Sequence, residues 1–78
     1  MIIDISNYRW RSPAFLAWVR EHGVDMKEVL RIDINEYTQM MTVHEFVRAA
    51  DGFPLTDYKT MRAAETTRDI KLMSPVPN

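Results

Sequence analysis

Only one segment of this chain is framed at both ends as a helix, and that frame limits the fold more than any other feature. Ser12 is a good N-cap, Pro13 stands at the first helical position where its missing N–H costs nothing, and Gly23 is placed as the left-handed residue past the end. The frame predicts a helix over Pro13–His22. Within it Phe15, Trp18, Val19 and His22 recur at spacings of three and four, and Leu16 widens the stripe. Arg20 and Glu21 fall off it, so the stripe should face a core.

Beyond Val29 the period changes. Leu30, Arg31, Ile32, Asp33 and Ile34 alternate apolar with charged, the mark of a strand buried on one face. Asn35–Gln39 reads as a hairpin loop and Met40–Arg48, rich in Thr, Val and Phe, as the return strand. The return strand breaks parity: Met41, Val43 and Val47 share a face with Glu45, while His44 and Phe46 take the other. Either both faces are covered or a bulge near Glu45 restores register. Asp51-Gly52 then signals a second tight turn, followed by a short edge strand over Phe53–Tyr58 interrupted by Pro54.

Three stretches are less constrained. Ile2, Ile3 and Ile5 around Asp4 suit a short edge strand or an apolar arm. Lys59–Thr66 contains helix formers with few apolar residues to fix them, so a helical turn and a mobile loop over 59–66 are both open. Arg68–Met73 alternates again, with Ile70 and Leu72 on one face, and Ser74–Asn78 reads as a stiff extended tail. Together these elements make one small α+β domain over residues 1–78. The N-terminal helix packs on a mainly antiparallel sheet of three to four strands. A single helix covers one sheet face, so Arg31, Asp33, Asn35, Thr42, His44 and Lys71 should line the other.

Size and composition exclude much chemistry. Seventy-eight residues leave no room for a separate cofactor module. Without cysteine there is no disulfide, thiolate metal site or cysteine nucleophile, and two glycines cannot build a phosphate cradle. His22 and His44 are the only histidines, and no Ser sits in a nucleophile-elbow setting. The Asp33, Asn35, Tyr37 run lacks the central Gly and closing Glu of a calcium loop. Asp33 and Glu45 are the one pair of acids that a hairpin would bring together, with two solvent-facing carboxylates as the plainer reading. No enzyme, cofactor or metal is therefore expected. No secretory signal and no apolar run of membrane-spanning length occur, which gives a cytoplasmic location by default and no membrane partner.

Charge and aromatic residues point to binding. Net charge is −1, yet residues 29–57 hold two basic against five acidic residues and residues 58–78 hold four against two, an asymmetry that could orient one subunit on another. Tyr8, Arg9, Trp10 and Arg11 form the one interleaved basic-aromatic run, suited to a protein interface, to nucleic-acid stacking, or to packing ahead of the Ser12 cap. Met40 and Met41 either fill the core or form an adaptable contact surface. Small cores of this kind contribute only about 3–5 kcal/mol, so a homo-oligomer is expected.

The succession of a Pro-started helix ending in Glu21, His22, Gly23, Val24 and Asp25, an acidic hairpin, then Glu45, Phe46, Val47, Arg48, Ala49, Ala50, Asp51 and Gly52 and a Pro-rich end resembles the small uncharacterised proteins of actinobacterial phages and prophages. The resemblance implies an accessory role in a host cytoplasm and supplies no catalytic residue. The resulting expectation is a non-enzymatic interaction protein that binds itself or a host protein through Tyr8–Arg11 or one sheet face. A nucleic-acid-binding regulator using the same run is the alternative.

Trp18 and Ile32 are placed facing each other across the helix–sheet interface. Trp18→Ala should then cost about 3–5 kcal/mol, the whole expected stability, while Trp10→Ala costs far less. Circular dichroism melts of the two variants side by side check this; a Trp18→Ala protein melting like wild type while Trp10→Ala unfolds would reverse core and anchor.

Overall fold

The computed structural model describes residues 1–77. Its helix α1 spans Pro13–Glu21, with Ser12 Oγ accepting from Phe15 N and His22 as C-cap. The predicted end holds, because Gly23 takes φ 77°. Gly23 N then donates to Arg20 O at 2.9 Å and Val24 N to Val19 O at 3.4 Å, the paired bonds of a Schellman turn. Val24 is buried, as is Val19, so the cap also closes an apolar contact. The Tyr8–Arg11 run forms a 3-10 turn, capped by Asn7, whose side chain accepts from Arg9 N at 2.9 Å.

The sheet contains β1 (Ile2–Ile3), β2 (Val29–Asn35), β3 (Met40–Phe46) and β6 (Glu65–Lys71), antiparallel and in the order β1-β2-β3-β6. A separate two-strand ladder joins β4 (Thr56–Asp57) to β5 (Arg62–Ala63). The protein is thus a small α+β fold with one N-terminal helix on a four-strand antiparallel sheet. Ile2–Ile3 resolves the open choice for the N-terminal stretch in favour of an edge strand, paired to Ile32 and Asp33.

A bulge exists, but on the other strand. Val29 pairs with Glu45 and Arg31 with His44, so Leu30 is the extra residue and the register shifts in β2. Its consequence is that Val29, not Leu30, joins Ile32 and Ile34 in the core. Opposite them Met41 and Val43 are fully buried, and Phe15, Trp18 and Val19 of α1 cover both. Glu45 remains on this face at the sheet's end, where Arg68 reaches it at 2.7 Å and Gly23 O at 3.1 Å.

The segment 59–66 is neither helical turn nor loop throughout. Tyr58–Met61 turns, with Met61 at φ 56°, Arg62–Ala63 forms β5, and β6 begins at Glu65. The reason lies in backbone partners. Val47 N donates to Ala64 O at 3.1 Å, Leu55 N to Val47 O at 2.8 Å, and Ala64 N to Leu55 O at 2.8 Å. The β3–β6 ladder forks here, and the strand after the Asp51-Gly52 turn enters the fork. The predicted second hairpin is formed by Ala49 N bonding Phe53 O at 2.8 Å and by the Arg48–Pro54 bridge.

The C-terminal segment is a strap. Leu72 N donates to Gln39 O at 2.8 Å, Leu72 is buried, and Val76 packs on the core. Of the expected extended tail over 74–78, Asn78 lies outside the described residues. The two adjacent methionines separate by parity, Met41 being fully buried and Met40 half-buried on the opposite face. Met41→Ala should therefore cost about 2–5 kcal/mol, against under about 1 kcal/mol for Met40→Ala. Urea unfolding of both variants reads the difference, and equal costs would contradict the assignment of faces.

Candidate functional site

The strand alternation places Arg31, Asp33 and Asn35 of β2, Thr42 and His44 of β3, and Glu65, Thr67 and Asp69 of β6 on the sheet face that α1 leaves open. The predicted polar face is thereby realised. Its centre is His44, whose side chain is 11% exposed. Nε2 lies 3.1 Å from Asp33 Oδ2 and Nδ1 lies 3.1 Å from Glu65 Oε1. Arg31 Nη2 stands 3.1 Å from Asp33 Oδ2 and 3.3 Å from His44 Nε2. Asp33 Oδ1 is covered and has no hydrogen bond of good geometry; Arg31 Nε at 3.1 Å compensates it ionically.

Neither proton arrangement satisfies every contact of this cluster, because Nε2 meets both the Asp33 acceptor and the Arg31 donor. With protons on both nitrogens, the imidazolium donates to Asp33 and to Glu65. With one proton, on Nδ1, it donates to Glu65 while Nε2 accepts from Arg31. Both ring nitrogens of His44 are engaged, and no hydroxyl or amine among the described residues hydrogen-bonds to it. The two acids flank opposite ring nitrogens, so they do not converge, and among the described residues no three His, Asp or Glu side chains could hold a common metal ion. Nearby, Thr42 Oγ1 donates to Asp69 Oδ1 at 2.7 Å. A shallow depression of about 430 Å³ lies beside it, lined by Ile2, Asp33, Asn35, Met40, Thr42 and Asp69.

The Asp33–Glu45 acid pair does not form. Asp33 faces Thr42 across the ladder and Glu45 faces Val29, and the odd offset puts the carboxylates on opposite sides of the sheet. His22 is structural in its geometry: Nδ1 lies 2.7 Å from Trp18 O, which can only accept, and Met73 N donates to Nε2 at 3.0 Å. Those partners fix the neutral tautomer with the proton on Nδ1.

The candidate interaction residues do not form one surface. Tyr8 is exposed, with Arg9 Cζ 5.8 Å from its ring centroid, and Arg11 is exposed. Trp10 turns inward and packs on the core. Met41 is removed from the set, because full burial leaves it nothing to contact outside the protein. What the residue pattern missed is Glu65, because the start of its strand lay inside the ambiguous 59–66 stretch, and with it the clamp on His44. Arg31, Asp33 and His44 were already on one predicted face; only register could bring them together.

Elsewhere the charged groups serve turns. Asp4 accepts from Ser6 Oγ and N, and these bonds hold its carboxyl below the usual range. The hydrogen bond to Glu28, at 2.8 Å, raises the Arg48 guanidinium above its ordinary value and ties the fork to the start of β2. No helix among the described residues is long and apolar enough to cross a membrane.

His44→Ala should cost about 1–3 kcal/mol, since it strips donors from two carboxylates and opens a small void. Glu65→Gln should cost under about 1 kcal/mol, because Glu65 is half exposed and its amide oxygen still accepts. Denaturant titrations of both test the ranking; a larger loss for Glu65→Gln would place the anchor on the wrong residue. Comparison with family models, curated proteins and solved structures finds no match to this chain.

Proposed function

We propose that the protein acts by binding other protein chains, its own copies included, and not by catalysis. The observation that carries this reading is β6, a seven-residue strand at the sheet's edge with no strand of the described residues on its outer side. Such a strand presents a row of unpaired backbone donors and acceptors, the template for strand addition. The adjoining fork supports the reading, because Phe53, Tyr58 and Met61 are exposed there at 70%, 81% and 75%, and aromatic and Met side chains are favoured at interfaces. The engaged nitrogens of His44 support the non-catalytic half.

An accessory role with a host protein as partner, in a host cytoplasm, belongs to the same proposal and derives from the phage-type resemblance. The alternative, nucleic-acid binding through Tyr8–Arg11, loses a stacking group with Trp10 on the core. Light scattering from about 5 to 500 μM protein tests the main reading, a range wide enough to reveal micromolar association. A weight-average mass rising from 9.2 kDa toward twice that value is expected. A constant 9.2 kDa, together with saturable binding of labelled oligonucleotides at low salt, would replace it with the alternative.

A further inference from the structure

We propose that β6 pairs with β6 of a second copy, antiparallel and in one register, joining two four-strand sheets into a continuous one. This rests on the binding role above and names its partner and geometry.

The backbone sets which residues take part. Val47 N bonds Ala64 O, and Leu72 N bonds Gln39 O, so the even-numbered residues of β6 direct their N–H and C=O toward β3. By the alternation of an antiparallel strand, Glu65, Thr67, Asp69 and Lys71 direct theirs outward. Side chains of these four lie on the open face with His44.

Charge then selects the occupant. Two copies of one strand related by a two-fold axis must place outward-bonding residues opposite each other, so register changes in steps of two. One setting puts Glu65 opposite Lys71 of the second copy, twice, and Thr67 opposite Asp69, twice. Neighbouring settings put Asp69 opposite Glu65 in one direction and Asp69 opposite itself in the other, each a like-charge contact. Among settings that engage at least three of the four outward residues the strand is self-complementary in a single register; a further slip pairs Asp69 with Lys71 but leaves only those two residues in the ladder. Acceptors for it are spare: His44 occupies Oε1 of Glu65 and Thr42 occupies Oδ1 of Asp69, leaving Oε2 and Oδ2. On the other face Arg68 meets its own copy, but each guanidinium is already paired with Glu45 at 2.7 Å. The four outward residues supply on the order of eight backbone hydrogen bonds. At the opposite edge, β1 has two residues and cannot compete.

Sedimentation equilibrium on wild type and three variants tests the register. Thr67→Pro removes an outward N–H and spares every bond to β3. Lys71→Glu and Glu65→Lys each turn two attractive contacts into repulsive ones, and each variant should weaken the dimer by about tenfold or more. Mixing Lys71→Glu with Glu65→Lys gives a mixed pair in which both contacts are again opposite in charge, so the mixture should dimerise where neither variant does alone. A wild type that stays monomeric at about 500 μM, where millimolar association already shows, would overturn both this proposal and the self-association it rests on. A dimer indifferent to Thr67→Pro and Lys71→Glu would overturn the edge and leave self-association standing. Variants that separate but do not recover on mixing would overturn the register.

Discussion

Trp18 joins the three layers on which the structure depends. Its indole stacks on Phe15 with centroids 5.9 Å apart and leans on His22 at 4.4 Å. Its Nε1 donates to Ser74 Oγ at 2.9 Å, while His22, bonded to the Trp18 carbonyl, accepts from Met73 N. Helix and C-terminal strap therefore meet through one side chain and its cap, in the core cluster to which the sheet contributes Ile32, Met41 and Val43. A chain with a single nine-residue helix needs such a joint, because helices this short are marginal in water and take their stability from the face they bury.

The same economy leaves a face and an edge open. Covered by no helix among the described residues, the second sheet face is held in order by polar contacts: His44 between Asp33 and Glu65, Thr42 on Asp69, Arg31 on Asp33. These contacts cross all three long strands, so the face is fixed without a second helix. Surface ion pairs of this exposure add little stability individually, and their larger effect is to set side-chain positions along β6. Order on the open face and the proposed pairing at the edge are thus linked through Glu65 and Asp69.

Much of this was legible in the residues. Ser12, Pro13 and Gly23 gave the helix ends because capping is local chemistry, decided within one turn. Period two in Arg31–Ile34 gave the faces of β2, and Asp51-Gly52 gave its turn. Misreadings arose where distant partners decide. Leu30 reads as the first core residue of an alternating strand, but the bulge moves Val29 there, and a bulge has no residue signature in this chain. Met61–Glu65 are good helix formers, but the backbone of Ala64 among them is claimed by Val47, seventeen positions upstream, and by Leu55, nine upstream. Glu65 could not be placed beside His44 until that competition was settled.

Residue-resolved amide hydrogen exchange on β6 tests the central claim, that one edge of a half-covered sheet is open and then paired. Protection of Thr66, Arg68 and Ile70 should be independent of concentration, since their amides bond to β3. Thr67, Asp69 and Lys71 should exchange quickly in dilute solution and slow markedly as concentration rises. Amides of Thr67, Asp69 and Lys71 that exchange quickly at every concentration, or that match their even-numbered neighbours in dilute solution, would contradict the account.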